Sequence, residues 1–440
     1  MDTYSVKNMA RYIKENNIST QDIFVKVKVP GSKSITNRAL LLSVLADGVS
    51  TLSDVLFSDD SRNFMKCVQK LGFETYIDKD NEIIKVIGNN GIIPKDNAHI
   101  YVGSAGTAAR FLTALLGISK GIYQLNSSDQ MKKRPMKPLL ETLEDMGTDI
   151  TYDGREGFFP FTLKCDGVKK NEITIDINTS SQFLSALLIC ACCIEDTMII
   201  NVTGEHGMSY IDMTIKMMEQ FGVHVIKEGS NRFIIEKGQC YRAQDYYIEP
   251  DVSTACYFYA MGAILGIKVM VENVHFSSMQ GDIQFISFLE QMGCKVEDTK
   301  EGIILQGPLD GKLKGITANM HSCSDQAITM AAISVYADSP VSITGIGHIQ
   351  YQECNRMDAI VTELGRMGIE SERTNDSIII YPGQIRPTKI STYDDHRMAM
   401  GFSLSGLRSD GIVISNPLCC KKTFENYFDV LDDVIRKIEK

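Results

Sequence analysis

Long apolar runs alternate with short strand-like runs throughout the 440-residue chain. Runs rich in Ala, Leu and Met, such as ALLLSVLA and FLTALLG, have helical length, whereas TMIINVTG (197–204) and KVMVENVH (268–275) are short enough to predict strands. Five helical patterns end at Leu-Gly, Met-Gly or Phe-Gly directly before a strand pattern. The glycines are Gly72, Gly147, Gly222, Gly293 and Gly368, spaced by 75, 75, 71 and 75 residues. This regularity predicts a repeated supersecondary unit in which each glycine ends a helix in the left-handed conformation.

Six such units, three per domain, account for most of the chain. The sixth, at the C-terminus, lacks the final glycine and strand. A chain of this length favours two domains, and Pro30 and Pro250 mark the joints between them. We therefore expect an N-terminal domain over residues 30–248 and a second domain made of residues 1–29 plus 249–440, with the active site in a cleft between them. Two unrelated α/β domains are the alternative, and the first 20 or so residues are either an extra amphipathic helix or a loose tail.

Composition narrows the function classes. Hydrophobic residues make up 44% of the chain and charged residues 23%, and the formal net charge is -10, which argues against a nucleic-acid partner. No apolar run approaches the ~20 residues that span a bilayer, and the N-terminal pattern has no apolar signal core, so we expect a cytoplasmic protein without membrane contact. The twelve cysteines and seven histidines show no metal-ligand spacing, so no metal is expected.

The stretch VKVKVPGSKSITNR (25–38) joins an alternating strand pattern to a buried helix pattern. The loop residues therefore lie at a helix N-terminus, where backbone N–H groups and the helix dipole favour anions, and Lys33 and Arg38 add positive charge. The stretch lacks the glycine spacing of a Walker A loop. A solvated capping segment is the alternative. Similar polar helix starts recur at 103–110, 178–182 and 394–397.

Seven segments of the chain resemble the signature segments of the 5-enolpyruvylshikimate-3-phosphate (EPSP) synthase family. In chain order they are PGSKSITNRALLL, GSAGTAARF, MKKRPM, SSQFLSALL, SMQGDI, DHRMAMGFSL and KTFENYF. The resemblance implies an α/β fold, the two-domain inverted α/β barrel of enolpyruvyl transferases, built from six βαβαββ-type units. It also implies a reaction that joins shikimate-3-phosphate to phosphoenolpyruvate with release of phosphate, by a monomer that needs no cofactor.

The resemblance assigns roles to residues at the matching positions. Asp325 corresponds to the base that takes a proton from the 5-hydroxyl, Glu353 to the acid that protonates the methylene carbon of phosphoenolpyruvate, and Lys33 lies between the substrates. Shikimate-3-phosphate would be bound by Lys33, Ser34, Arg38, Ser180, Ser181, Gln182, Tyr210, Asp325, His348 and Gln352. Phosphoenolpyruvate would be bound by Lys33, Gly106, Arg134, Gln182, Arg356, Arg397 and Lys422.

Charge explains why such a set suits these substrates. The two substrates together carry about -5 to -6. Six of the assigned side chains are cationic and two are catalytic carboxylates, so the sequence predicts a local excess of +4 and substrate binding followed by domain closure. An acid at Glu353 needs a raised pKa, which burial favours and the nearby Arg356 opposes; the sequence leaves the balance open.

Four positions depart from the family pattern. Gln352 replaces a Lys, His348 an Asn, Gly207 a phosphate-binding Ser and Phe111 a Pro, which leaves substrate affinity and glyphosate sensitivity open. One rival is the sister enzyme that acts on UDP-N-acetylglucosamine, but residues 99–164 lack its mobile-loop cysteine. A non-catalytic phosphometabolite-binding relative is the other rival, and retention of both catalytic carboxylates argues against it.

Overall fold

The protein is described by a computed structural model that covers residues 2–440. The chain forms two compact units. The continuous unit is Gly31–Ile248, and the two-segment unit combines Met1–Pro30 with Glu249–Lys440. No helix within residues 2–440 has both the length and the hydropathy required to cross a bilayer.

Helices and strands alternate along both units. The α-helices are α1 (Met9–Glu15), α2 (Lys33–Leu45), α3 (Asp59–Lys70), α4 (Gly106–Ile118), α5 (Lys137–Asp145), α6 (Gln182–Cys190), α7 (Met208–Gln220), α8 (Val252–Leu265), α9 (Gln284–Gln291), α10 (Ala327–Ser334), α11 (Arg356–Arg366), α12 (His396–Gly406) and α13 (Tyr427–Ile438). The strands are β1 (Thr3–Ser5), β2 (Phe24–Val27), β3 (Asp47–Ser53), β4 (Thr75–Asp78), β5 (Ile83–Asn89), β6 (Asn97–Tyr101), β7 (Gly121–Asn126), β8 (Asp149–Tyr152), β9 (Phe161–Cys165), β10 (Glu172–Asp176), β11 (Met198–Thr203), β12 (Ile226–Glu228), β13 (Arg232–Ile235), β14 (Asp245–Tyr247), β15 (Lys268–Val271), β16 (Lys295–Thr299), β17 (Gly302–Gln306), β18 (Thr317–Asn319), β19 (Val341–Thr344), β20 (Ser371–Arg373), β21 (Ser377–Ile380), β22 (Thr388–Ile390) and β23 (Ile412–Ser415).

The continuous unit contains three four-stranded sheets, ordered β14-β3-β5-β4, β6-β7-β9-β8 and β10-β11-β13-β12. Each sheet has one parallel pair at one edge and antiparallel pairs elsewhere. The second sheet is formed in the order β6, α4, β7, α5, β8, β9, which is the predicted βαβαββ unit. In the first sheet the parallel edge strand is β14, which follows the third unit in the chain.

The two-segment unit repeats this pattern with strands from the N-terminal segment. Its sheets are ordered β16-β17-β15-β2, β18-β19-β21-β20 and β1-β23-β22. Strand β2 pairs in parallel with β15, and β1 pairs antiparallel with β23. The N-terminal residues therefore form a strand and a helix, not a loose tail, and β1 completes the sixth sheet.

The repeated glycines end helices as predicted. They lie two residues beyond the ends of α3, α5, α7, α9 and α11, with φ values of 97°, 105°, 93°, 104° and 80° respectively. A side chain with a Cβ rarely adopts this left-handed conformation, so glycine allows the chain to turn directly from each helix into the next strand.

In each unit one helix of each repeat is buried on nearly all sides. Every residue of α4, α10 and α12 is buried, and α2, α6 and α8 are almost as fully covered. Helix α4 packs on α6, and α10 packs on α12. These helices contribute to the hydrophobic cores, and the assigned residues Lys33, Gly106, Gln182 and Arg397 lie in their first turns.

Candidate active site

The PGSKS segment places Lys33 at the first residue of α2, after the N-cap residue Ser32. The Lys33 ammonium lies 3.7 Å from a carboxylate oxygen of Asp60, which is 2% exposed, whereas Lys33 is 17% exposed. Asp60 belongs to the first turn of α3, where its charge also favours the helix dipole. The sequence analysis missed Asp60, because two acidic residues after a capping serine indicate only a helix start.

Arg38 is buried and bridges three helices of the continuous unit. Its Nε donates to Thr214 Oγ1 at 2.8 Å, and its two terminal nitrogens donate to the backbone oxygens of Ser34 at 3.0 Å and Tyr210 at 3.2 Å. The guanidinium carbon lies 5.6 Å from the centre of the Phe111 ring. Burial lowers the pKa of Arg38 to about 10, which leaves it charged at neutral pH. Three assigned residues, Ser34, Arg38 and Tyr210, are thus brought together.

Gly106 is the first residue of α4 and allows two arginines to approach the helix. A Cβ at Gly106 would lie 2.7 Å from Arg134 Nη1 and 3.0 Å from Arg110 Nη1. Arg110 is 2% exposed and donates to the Gly106 carbonyl at 3.1 Å. Two guanidinium groups beside a helix N-terminus strongly favour an anion. Arg110 lies within the polar helix start at 103–110, but no role was predicted for it from the sequence.

The third helix start has buried polar atoms without a partner among the described residues. These atoms are Thr179 Oγ1 and Gln182 Oε1, and Gln182 is the first residue of α6. Ser180 Oγ accepts from the Gln182 N–H at 3.3 Å. Gly207 has φ 66°, and a Cβ there would lie 2.5 Å from Ser181 Oγ. The departure from serine at position 207 therefore has a physical reason: the left-handed backbone and the Ser181 hydroxyl leave no room for a side chain.

In the two-segment unit Arg356, which is 1% exposed, contacts three carboxylates. Its Nη1 lies 2.9 Å from Asp325 Oδ1, its Nη2 lies 2.9 Å from Glu353 Oε2, and its Nε lies 2.7 Å from Asp395 Oδ2. It also donates to the side-chain oxygen of Gln352. Burial opposes the charge of Arg356, but the three carboxylates outweigh burial and raise its pKa above the ordinary value.

Asp325 and Glu353 each bind a second cation. Arg397 Nη2 lies 2.7 Å from Asp325 Oδ2, and Lys422 Nζ lies 2.9 Å from Glu353 Oε1. The result is an alternating array, Arg397–Asp325–Arg356–Glu353–Lys422, whose side chains are all 18% exposed or less. We call these five residues the charged array. All of them were assigned from the sequence.

The sequence-based count of charges left out two carboxylates. It counted six cations and two carboxylates, but Asp60 contacts Lys33, and Asp395 contacts Arg356. The physical reason is that a buried cation needs a counterion nearby, and these counterions are distant in sequence from the cations they pair with.

His348, predicted to bind substrate, lies next to Ser324, the residue before Asp325. Its Nε2 is 2.7 Å from Ser324 Oγ, and its ring meets that of His321 edge to face at 5.9 Å between centroids. Burial, followed by the proximity of His321, lowers the pKa of His348 to about 4. The imidazole is therefore neutral at physiological pH and can exchange hydrogen bonds without carrying charge.

A fully buried carboxylate, Asp282, completes this side of the site. It accepts from the Ser253 hydroxyl, which in turn lies 3.4 Å from Arg397 Nη2. Burial, and secondly the charge of Asp325, raise the pKa of Asp282 to about 6. The sequence analysis quoted the SMQGDI segment but assigned Asp282 no role. Within residues 2–440, no group of three or more His, Cys, Asp or Glu side chains is arranged to hold a metal ion.

The chain is similar to known proteins over most of its length. A sequence model of the family "EPSP synthase (3-phosphoshikimate 1-carboxyvinyltransferase)" matches residues 19–431. The 3-phosphoshikimate 1-carboxyvinyltransferases of Nostoc punctiforme and Trichormus variabilis are 43% and 44% identical over 403 residues, which is 91% of this chain and 94% of each relative.

A solved structure, the EPSP synthase of Acinetobacter baumannii, superimposes with a TM-score of 0.78 at 25% identity, covering 93% of this chain and 95% of that one. This similarity confirms the fold class predicted from the sequence. Together the extent of the match, the order of the segments and the shared fold show that the chain belongs to the EPSP synthase family.

Proposed function

We propose that the residues described above carry out the reaction for which the family is named. In that reaction the enolpyruvyl group of phosphoenolpyruvate is transferred to the 5-hydroxyl of shikimate-3-phosphate by addition and elimination, which gives 5-enolpyruvylshikimate-3-phosphate and phosphate. The reaction belongs to the shikimate pathway, which supplies chorismate and the aromatic amino acids. The observation that carries the residue assignment is the charged array, because it combines a base, an acid and three anion-binding cations within one unit.

Phosphoenolpyruvate presents a carboxylate and a phosphate. Arg356 and Arg397 bind the carboxylate; both hold carboxylate oxygens of Asp325 at hydrogen-bond distance, which supports this role. Lys422, Arg134, Gln182 and the Gly106 N–H bind the phosphate. The close approach of Arg134 to Gly106 supports this role, because it adds a cation to a helix N-terminus.

Shikimate-3-phosphate binds through the helix starts of the continuous unit. Ser34 and Arg38 bind its carboxylate, and Ser180 and Ser181 bind its phosphate, with Gln182 and Tyr210 beside them. The buried atoms Thr179 Oγ1 and Gln182 Oε1 support this assignment, since buried polar atoms without partners are rare and often face a ligand. Asp325, His348 and Gln352 contact the ring hydroxyls, and Lys33 contacts both substrates.

The proton transfers follow from the array. Asp325 takes the proton of the 5-hydroxyl as that oxygen bonds to C2 of phosphoenolpyruvate, and Glu353 protonates the methylene carbon, which becomes a methyl group. The tetrahedral intermediate then loses a methyl proton and expels phosphate, which restores the double bond. Both oxygens of Asp325 are paired with arginines, so the carboxylate of phosphoenolpyruvate must displace Asp325 from these cations before Asp325 can act as a base.

Gln352 lies at the position where the family resemblance implies a lysine. Its side-chain oxygen accepts a hydrogen bond from Arg356, which a lysine cannot do because an ammonium group has no acceptor. We propose that Gln352 retains a hydrogen bond to shikimate-3-phosphate but contributes no charge. We further propose that the chain acts as a cytoplasmic monomer without a cofactor; light scattering of the purified protein tests the monomer.

The test is phosphate release by purified protein supplied with phosphoenolpyruvate and shikimate-3-phosphate, with UDP-N-acetylglucosamine in a parallel reaction. Release with shikimate-3-phosphate only is expected. Asp325→Asn should abolish release, whereas Asp298→Asn, a surface carboxylate of the same unit paired with His275, should leave it unchanged. Release with the sugar nucleotide only, or none with either acceptor, would contradict the proposal.

A further inference from the structure

Asp395 is presented by an unusual turn between β22 and α12. Tyr393 and Asp394 both adopt the left-handed conformation, with φ values of 54° and 55°, which is rare for consecutive residues other than glycine. The turn is held by Glu363, a fully buried carboxylate of α11. Glu363 accepts from the Tyr393 hydroxyl at 2.8 Å and from the Ser391 N–H at 3.1 Å. The two hydrogen bonds to Glu363 thus support the strained backbone, and the turn places Asp395 next to Arg356.

The Asp395 side chain is completely buried and has three polar neighbours besides its main partner, Arg356. Arg356 donates through Nε at 2.7 Å and Nη2 at 3.2 Å, so the carboxylate grips one edge of the guanidinium. The Arg397 N–H donates to Asp395 at 2.9 Å as the cap of α12. The Cys354 thiol lies at 3.6 Å and the His396 ring nitrogen at 3.7 Å. One carboxylate therefore orients the side chain of Arg356 and the backbone that carries Arg397.

The three carboxylates around Arg356 differ in their access to solvent. The side chains of Asp325 and Glu353 are 18% and 10% exposed, whereas that of Asp395 is 0% exposed. A substrate carboxylate that arrives from solvent can replace the first two at Arg356 but has no path to the edge that Asp395 occupies. Asp395 accepts hydrogen bonds from Nε and Nη2 of Arg356, whereas Nη1 of Arg356 donates to Asp325 Oδ1.

We infer that Asp395 is a positioning residue for phosphoenolpyruvate. It is the permanent counterion of Arg356, and it holds the guanidinium in one orientation while the substrate carboxylate replaces Asp325 and Glu353 at the other N–H groups. This inference rests on the proposed function, in which Arg356 binds that carboxylate. The role follows from geometry, since a bidentate grip on one edge fixes the direction in which the remaining N–H groups point.

Asp395→Asn tests the inference, because asparagine still caps a helix but carries no charge. The KM for phosphoenolpyruvate should rise about tenfold or more, while the KM for shikimate-3-phosphate stays within about twofold of the wild-type value. Asp251→Asn is the matched control: Asp251 caps α8 of the same unit through Thr254 at 2.9 Å, and the same substitution there should move neither KM.

A double variant shows whether the effect passes through Arg356. In an Arg356→Lys background, Asp395→Asn should change the KM for phosphoenolpyruvate by less than about twofold. A lysine ammonium is not planar, so Asp395 has no guanidinium edge whose orientation it can fix. If the two substitutions instead raise the KM for phosphoenolpyruvate by factors that multiply in the double variant, the inference is overturned. Equal changes in both KM values, or no change in either, would also overturn it.

Tyr393→Phe provides a second measurement if Asp395→Asn fails to fold. It removes only the hydroxyl bond to Glu363 and should raise the KM for phosphoenolpyruvate about two- to fourfold, again without changing the KM for shikimate-3-phosphate. An unchanged KM for phosphoenolpyruvate in this variant would count against the inference. Wild-type protein that releases no phosphate would refute the proposed function instead, so the two failures are distinguishable.

Discussion

His348 makes the stability of this protein sensitive to mild acid. The ring is half-buried beside Ser324 and His321, and the charges of Asp325 and Arg356 also reach it. Burial is the largest cause of its low pKa, about 4, and the nearby His321 adds to it. The folded protein therefore resists protonation at this position, whereas the unfolded chain binds a proton at an ordinary histidine pKa of about 6.5.

The sign and size of the effect follow from this difference. The contribution of His348 to stability is fully present above pH ~6.5 and is lost as the pH falls towards ~4, because only the unfolded state gains a proton in that window. Each pKa unit corresponds to about 1.4 kcal/mol, so the loss between pH 7.5 and pH 4.5 is about 2.5 kcal/mol.

The substitution His348→Asn removes the titrating group and restores the residue typical of the family. Urea unfolding of both proteins at pH 7.5 and pH 4.5 gives the free energy of unfolding in each case. Wild type should lose about 2.5 kcal/mol more than the variant between the two pH values, since titrations of groups remote from position 348 cancel in the comparison. An equal loss in both proteins would refute the reasoning, since it would mean that the ring accepts a proton in the folded state as readily as in the unfolded one.

Three further predictions follow from individual contacts. Lys33→Met should lower the rate of phosphate release at least about 10³-fold, and adding Asp60→Asn, which removes the buried carboxylate left behind, should recover the urea midpoint but not the rate. Gly106→Ala should raise the KM for phosphoenolpyruvate about tenfold with little effect on shikimate-3-phosphate, because the added methyl group displaces Arg134; equal effects on both substrates would contradict this. Asp282→Asn should stabilise the protein by about 1–2 kcal/mol at pH 8, because burial penalises the ionised carboxylate of the wild type. The gain in the free energy of unfolding, measured with urea, should vanish below pH ~4, where the carboxylate is protonated in the folded protein. A gain at pH 4 equal to that at pH 8 would argue against the raised pKa of Asp282.

The repeat architecture could be predicted because its signals are local. A helix that ends at a glycine needs only its own residues to do so, and the five repeated glycines have the left-handed φ values that their positions implied. The N-terminal segment was harder. Strands β1 and β2 pair with β23 and β15, several hundred residues away, and short strand patterns do not identify such partners.

The site was predictable to the extent that its residues lie in distinctive segments. Arg356 and Glu353 are three residues apart, and all five residues of the charged array were assigned from sequence segments. Asp60 and Asp395 were not assigned. Asp395 lies 39 residues from Arg356, and an aspartate before a helix is equally typical of an ordinary cap.

The sequence by itself determined the repeated units and the family, and it supplied the candidate site residues, because these depend on local spacing and on short segments. Only the tertiary structure decided which carboxylate balances each buried cation. A charge inside a protein must find a counterion close in space, and that partner can come from any part of the chain that the fold brings near. Asp395 shows the consequence: its charge, burial and contact with Arg356 give it a role that its position in the sequence does not reveal.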